Sequence, residues 1–157
     1  MMKAQVTIIG GGPSGLLLSQ ILMNAGIDTI IIEKHSKEHV LSRIRAGVLE
    51  QGTVDILKKA GVGTRVDIEG FKHEGTLISS ENRSFRISFK ETVRRSVTIF
   101  GQTEVTKDLY EVQEKSDAKI IHGVSNVGIL NPLESRPEVS FTDRKGIRNK
   151  INSDFVI

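Results

Sequence analysis

Val6-Thr7-Ile8-Ile9-Gly10-Gly11-Gly12-Pro13-Ser14-Gly15 opens the chain's most informative stretch. Val6 to Ile9 is a short, continuous apolar and β-branched run, the pattern of a strand buried on both faces of a parallel sheet. Glycines end it. Pro13 suits the first turn of a helix, and Leu17, Ile21 and Leu22 then recur at helical spacing until Gly26, a natural left-handed terminator. Thr29 to Ile32 repeats the buried-strand pattern and ends at Glu33. Two parallel strands joined through a helix make a βαβ unit with a right-handed crossover.

Gly10, Gly12 and Gly15 stand in G-x-G-x-x-G spacing directly after a strand and directly before a helix. The first glycine permits a tight turn, the second lets a diphosphate approach the backbone, and the third lets helix and strand pack closely. The helix N-terminus adds free N–H groups and a partial positive charge. Glu33 is spaced to accept hydrogen bonds from the hydroxyls of an adenosine ribose, and its charge repels a 2′-phosphate there. These features admit FAD or NAD at this site, exclude NADP from it, and do not choose between the first two.

Working outward, Val54, Leu57 and Ala60 mark a second amphipathic helix ending near Gly61. Phe85, Ile87 and Phe89 alternate as a half-exposed strand, and Val97 to Phe100 forms another. Val105, Leu109 and Val112 place an apolar stripe on a third helix. The strand Ala118 to Ile121 and alternating segments around Val127, Ile129, Val139 and Phe141 read as an antiparallel meander. The sequence stops inside an apolar run, Asp154 to Ile157, which predicts that residues 1–157 are the incomplete N-terminal part of one domain. The expected class is α/β: a Rossmann-like dinucleotide-binding βαβ core with an antiparallel β meander, truncated before a substrate domain.

Composition bounds the function. A net charge of +3 from 22 Lys+Arg and 19 Asp+Glu is too small and scattered to argue for nucleic acid. With no cysteine there is no thiolate nucleophile, iron–sulfur cluster or disulfide, so the cytoplasm is the default compartment. Val6 to Ile9 is shorter than a signal-peptide core, and the run from Leu16 is broken by Ser19, Gln20 and Asn24, so neither targeting nor membrane spanning is indicated. His35, His39 and His122 lack ligand-like spacing, and no metal site is expected.

Val40-Leu41-Ser42-Arg43-Ile44-Arg45-Ala46-Gly47-Val48-Leu49-Glu50-Gln51-Gly52, together with the glycine stretch, His73-Glu74-Gly75 and Phe100-Gly101-Gln102-Thr103-Glu104-Val105-Thr106, resembles the 4-hydroxybenzoate 3-monooxygenases (p-hydroxybenzoate hydroxylases), a family of FAD-dependent aromatic hydroxylases. The resemblance runs along essentially the whole chain. It implies bound FAD, with Ser14 near the phosphates and Glu33 on the ribose. Arg43, Ile44, Arg45, Ala46, Gly47 and Val48 are implied to line the diphosphate and reach the flavin, and Gln102 to make a further FAD contact. Two arginines suit a diphosphate, with bidentate bonds that lysines do not reproduce.

The same resemblance implies that Arg45 also serves the reduced nicotinamide nucleotide, and that His73 ends a proton relay from the substrate phenol to solvent. Lys34 to His39 matches the segment that distinguishes NADPH from NADH but departs from the family's commonest wording, leaving that preference open. Tyr110, the single tyrosine, matches none of the family's active-site tyrosines. The implied reaction of the full-length enzyme consumes NADPH, O2 and 4-hydroxybenzoate and yields 3,4-dihydroxybenzoate, with the chain alone inactive. Monomer and homodimer are both open. The fingerprint and Glu33 would serve a NAD-dependent Rossmann oxidoreductase or a non-catalytic nucleotide-binding module equally well.

Overall fold

The computed structural model describes residues 2–116 and 118–157. In chain order the elements are β1 (Met2–Ile9), α1 (Pro13–Asn24), β2 (Thr29–Glu33), α2 (Lys37–Ser42), β3 (Val48–Glu50) and α3 (Gln51–Lys59). Then come α4 (Thr64–Glu69), β4 (Phe71–His73), β5 (Gly75–Ser80), β6 (Arg83–Ser88), α5 (Phe89–Val93) and β7 (Val97–Ile99). The last are α6 (Gln102–Lys115), β8 (Lys119–His122), β9 (Ser125–Leu130), β10 (Glu138–Thr142) and β11 (Arg148–Val156). These form two compact units, one comprising the chain up to Ile44 and from Thr106 onward, the other Arg45–Val105.

The first unit is built on a six-stranded sheet in the order β8-β2-β1-β11-β10-β9. β8, β2, β1 and β11 are parallel neighbours, while β10 runs antiparallel to both β11 and β9. The expected βαβ unit is present, with Ile8 opposite Ile31 and Ile9 opposite Ile32. All five residues of β2 are buried, as a strand covered on both faces requires. Two expectations change. The strand expected at Ala118 to Ile121 is β8, which joins the parallel core beside β2, so the meander is β9-β10-β11 alone. The final strand begins at Arg148, because its polar first half, Arg148 to Asn152, is held in register by β10, and β1 joins it from Ile151 onward.

An apolar cluster of Ala4, Ile30, Ile32, Val124, Val139, Phe141 and Ile151 gathers side chains from four of the six strands, β1, β2, β10 and β11, and from the β8–β9 connection. α1 is packed differently from its apolar pattern. Leu16 is fully buried, but its companions are Ser19 and Gln20, while Ile21 is 40% exposed. Ser19 Oγ lies 2.7 Å from Thr29 Oγ1 and 3.3 Å from Gln113 Oε1, and Gln113 Nε2 donates to the Leu16 carbonyl. A hydrogen-bonded seam thus occupies a face where hydrophobic periodicity expects aliphatic contact.

In the second unit, β3 and β4 flank β7 antiparallel, and β5 pairs with β6 as a hairpin. The α3 face of Val54 and Leu57, with Ala60 just beyond, is buried as its spacing requires. Phe89, expected in a strand, instead starts α5: Ser88 caps that helix by accepting from the Glu91 N–H, which ends β6 one residue earlier.

The β10–β11 turn is organised by one carboxylate. Asp143 Oδ1 accepts from the Lys145 and Ile147 N–H groups, and Oδ2 from Asn149 Nδ2, with Gly146 at φ +78 supplying the left-handed step. The Ile147 N–H, followed by the Asn149 amide and Lys145, holds the Asp143 carboxyl below its ordinary value. A depressed folded pKa contributes stability that is complete above about pH 5 and is lost as the pH falls through the folded value. Asp143→Ala is therefore expected to lower the thermal midpoint near neutral pH and to flatten the acid limb of the midpoint–pH curve, measured by circular dichroism.

Candidate dinucleotide-binding site

The turn after β1 has the geometry its glycines predict. Gly10 adopts φ +126, a conformation that side chains rarely reach, and its N–H donates to the Ile32 carbonyl at the end of the neighbouring strand. A Cβ on Gly15 would stand 2.0 Å from the Gly10 carbonyl oxygen, so the helix can lie this close to the turn only with glycine there. Around the Cβ position of Gly12, by contrast, nothing lies within 4 Å. Gly12 is the N-cap of α1 and offers no side-chain acceptor, so no side chain caps the first turn of the helix. Pro13 occupies the first helical position and Ser14 is exposed on it.

Glu33 closes the site at the end of β2. Its side chain is 9% exposed, with Oε2 accepting the Gly11 N–H at 2.7 Å and Oε1 the His35 N–H at 2.8 Å. The carboxylate therefore clamps the glycine turn to the end of the strand. Each oxygen keeps a second lone pair, the acceptor capacity that a pair of ribose hydroxyls needs.

The sequence profile of the FAD binding domain matches residues 3–157. The chain belongs to this family. A p-hydroxybenzoate hydroxylase of Acinetobacter baylyi is 41% identical over 156 residues, 99% of this chain and 38% of that protein. An uncharacterized aromatic compound monooxygenase of Bacillus subtilis is 26% identical over all of this chain and 31% of its own length. Among solved structures, the p-nitrophenol 4-monooxygenase of Pseudomonas putida superposes with a TM-score of 0.83 at 17% identity, covering 99% of this chain and 40% of that one. It shares the fold. The chain spans between three and four tenths of the length of these relatives.

As a member of the FAD binding domain family, the chain presents residues that fit the adenosine diphosphate half of FAD: open space at Gly12, an uncapped helix N-terminus and an acceptor carboxylate at Glu33. The structure brings together Gly10, Gly12, Gly15 and Glu33. Arg43 and Ile44 follow α2 in extended, exposed backbone, with Ile44 95% exposed. In the second unit, Arg45 and Ala46 are likewise exposed, and Gly47 is pressed against Phe100 and Gly101: a Cβ on it would meet the Phe100 oxygen at 2.5 Å. The Gly47 carbonyl accepts the Phe100 N–H beside the Val48–Ile99 pair, and Phe100 lies two residues before the start of α6 at Gln102. His73 is exposed at the end of β4, opposite Val97. The segment Lys34 to His39 enters α2, whose N-cap Ser36 accepts the His39 N–H.

Sequence reasoning missed the support behind the turn. Tyr110 is 1% exposed and its hydroxyl donates to the Gly11 carbonyl at 3.2 Å. Burial, with the charges of Glu33, Glu114 and Glu38, raises its pKa well above the ordinary phenol value. One signal was available: α6 carries Tyr110 and Gln113 three apart, beside the apolar Val105 and Leu109.

Two glycine substitutions separate the roles of the turn. Gly15→Ala forces a backbone contact at 2.0 Å and is expected to destabilise the protein by about 2–3 kcal/mol in urea denaturation. Gly12→Ala meets no atom within 4 Å and should change stability by less than about 1 kcal/mol while weakening FAD binding.

Proposed function

We propose that this chain holds FAD for a flavoprotein monooxygenase that hydroxylates 4-hydroxybenzoate to 3,4-dihydroxybenzoate with NADPH and O2. The observation that carries this reading is the 41% identity over 99% of the chain with the Acinetobacter baylyi p-hydroxybenzoate hydroxylase. The Arg43 to Val48 segment supports it, because a NAD-dependent dehydrogenase has no need of the two arginines, Arg43 and Arg45, that follow the ribose carboxylate Glu33.

When bound, FAD supplies the hydride acceptance and oxygen activation that no side chain of the chain offers. The chain's own residues bind and orient. Glu33 accepts the two adenosine ribose hydroxyls with the lone pairs left by Gly11 and His35. Gly12 and the first turn of α1, with Ser14, receive the diphosphate, and its charge is further neutralised by Arg43 and Arg45. Ile44, Ala46, Gly47 and Val48 line the path towards the flavin, and Gln102 adds an amide contact at the start of α6. His73, exposed and able to exchange protons with water, serves as the outer end of the route by which the phenol proton leaves. Arg45 also receives NADPH or NADH.

No helix among the described residues is long and apolar enough to cross a membrane. The cytoplasm is the placement we propose. A homodimer is the assembly we propose for the working enzyme.

The test is to purify the full-length enzyme that carries this chain, with its flavin, and measure NADPH oxidation with and without 4-hydroxybenzoate, while following 3,4-dihydroxybenzoate by chromatography. A yellow protein whose NADPH oxidation is stimulated by 4-hydroxybenzoate and yields the diol supports the reading. A colourless protein that takes up no FAD overturns it, and a yellow protein indifferent to 4-hydroxybenzoate overturns the substrate. Glu33→Gln, which loses charge-assisted hydrogen bonds while keeping its volume, is expected to weaken FAD binding by about 10- to 100-fold in flavin fluorescence titration.

A further inference from the structure

Gly10, Gly11 and Gly12 form a run of three residues without side chains, so their peptide planes are restrained only by what they are bonded to. The Gly10–Gly11 peptide is held on the ribose side, because its N–H donates to Glu33 Oε2 at 2.7 Å. The Gly11–Gly12 peptide is held from the opposite direction, by the Tyr110 hydroxyl on the Gly11 carbonyl. No peptide bond among the described residues is cis, so the Gly12 N–H points opposite to that carbonyl and thus away from the Tyr110 hydroxyl bonded to it. It has no protein acceptor among the described residues, and the space beside Gly12 is open for 4 Å.

We propose that Tyr110 is a positioning residue of the diphosphate site: its hydroxyl locks the Gly11–Gly12 peptide so that the Gly12 N–H is presented to the bound diphosphate. This rests on the FAD reading above and deepens it. A free triglycine turn samples several peptide orientations, and a ligand that needs one of them loses affinity in proportion to the fraction in the others. Tyr110 removes those alternatives before the ligand arrives.

The tyrosine is itself well fixed. Its ring is buried, Lys37 Nζ lies 5.4 Å from its centroid, and the His122 ring is 5.7 Å away. Lys37 is in turn paired with Glu114, one turn further along α6. Burial and the carboxylates of Glu33, Glu114 and Glu38 keep the phenol protonated across the neutral range, so the hydroxyl stays a donor.

The experiment compares ADP with adenosine as probes of the 157-residue chain, by calorimetric titration, because only ADP carries the diphosphate. Tyr110→Phe keeps the ring and removes the donor. It is expected to weaken ADP by about fivefold, to leave adenosine unchanged, and to shift the Gly12 amide nitrogen resonance. Equal weakening of both probes, or of neither, overturns the proposal. Because the chain has a single tyrosine, fluorotyrosine incorporation labels Tyr110 alone and retains its hydroxyl. Its fluorine resonance should move on saturation with ADP and stay in place with adenosine, a measurement that decides the matter even if Tyr110→Phe does not fold. A fluorine signal indifferent to ADP overturns the proposal. Wild-type protein that binds neither FAD nor ADP overturns the flavoprotein reading along with it, whereas wild type that binds both with Tyr110→Phe unchanged overturns the tyrosine's role alone.

Discussion

A carboxylate cannot be buried without compensation, and Glu33 is 9% exposed at the end of a fully buried strand. The two backbone N–H groups of Gly11 and His35 supply that compensation, so the charge, the glycine turn and the loop into α2 hold one another in place. Removing any one leaves the others with an unpaired polar group. The arrangement also fixes the carboxylate: with both oxygens engaged by the backbone it has one orientation, and in the function proposed above its remaining lone pairs are those that read the ribose diol.

Behind this lies an unusual use of polar side chains. Ser19, Thr29 and Gln113 meet in the packing of α1 against β2 and α6, where aliphatic contacts would have been simpler. Directional bonds fix a helix in rotation as well as in distance. For α1 this matters, because rotation of the helix moves its first turn, and the first turn is the surface proposed above to meet the ligand's phosphates.

The residues that were legible in the sequence are those whose geometry is local. Gly10, Gly15 and Glu33 follow from a strand, a turn and a helix placed consecutively, and the continuous apolar run of β2 follows from burial on both faces. Val54, Leu57 and Ala60 followed from period alone. Tyr110, Gln113 and Ser19 were not legible as buried residues, since each is polar and is bonded inside the fold to partners up to 99 residues away. The short elements α2, α4, α5 and β3 to β5 were also missed: at three to six residues each they are too brief for a hydrophobic period to register. Phe89 went astray for a nearby reason, because a serine cap outweighed an alternation of only three residues.

The position of β11 has a consequence for how the molecule is made. β1 is the second residue onward of the chain, yet its neighbour on one side is β11, with Met2 opposite Ile151 and Thr7 opposite Val156. During synthesis β1 and β2 emerge early and can pair, but the other edge of β1 stays open until the last residues of β11 have left the ribosome. Closing a loop of this length is entropically costly and slow. For most of its translation the chain therefore carries an exposed apolar strand edge at its centre, and its dependence on chaperones should be greatest in that interval.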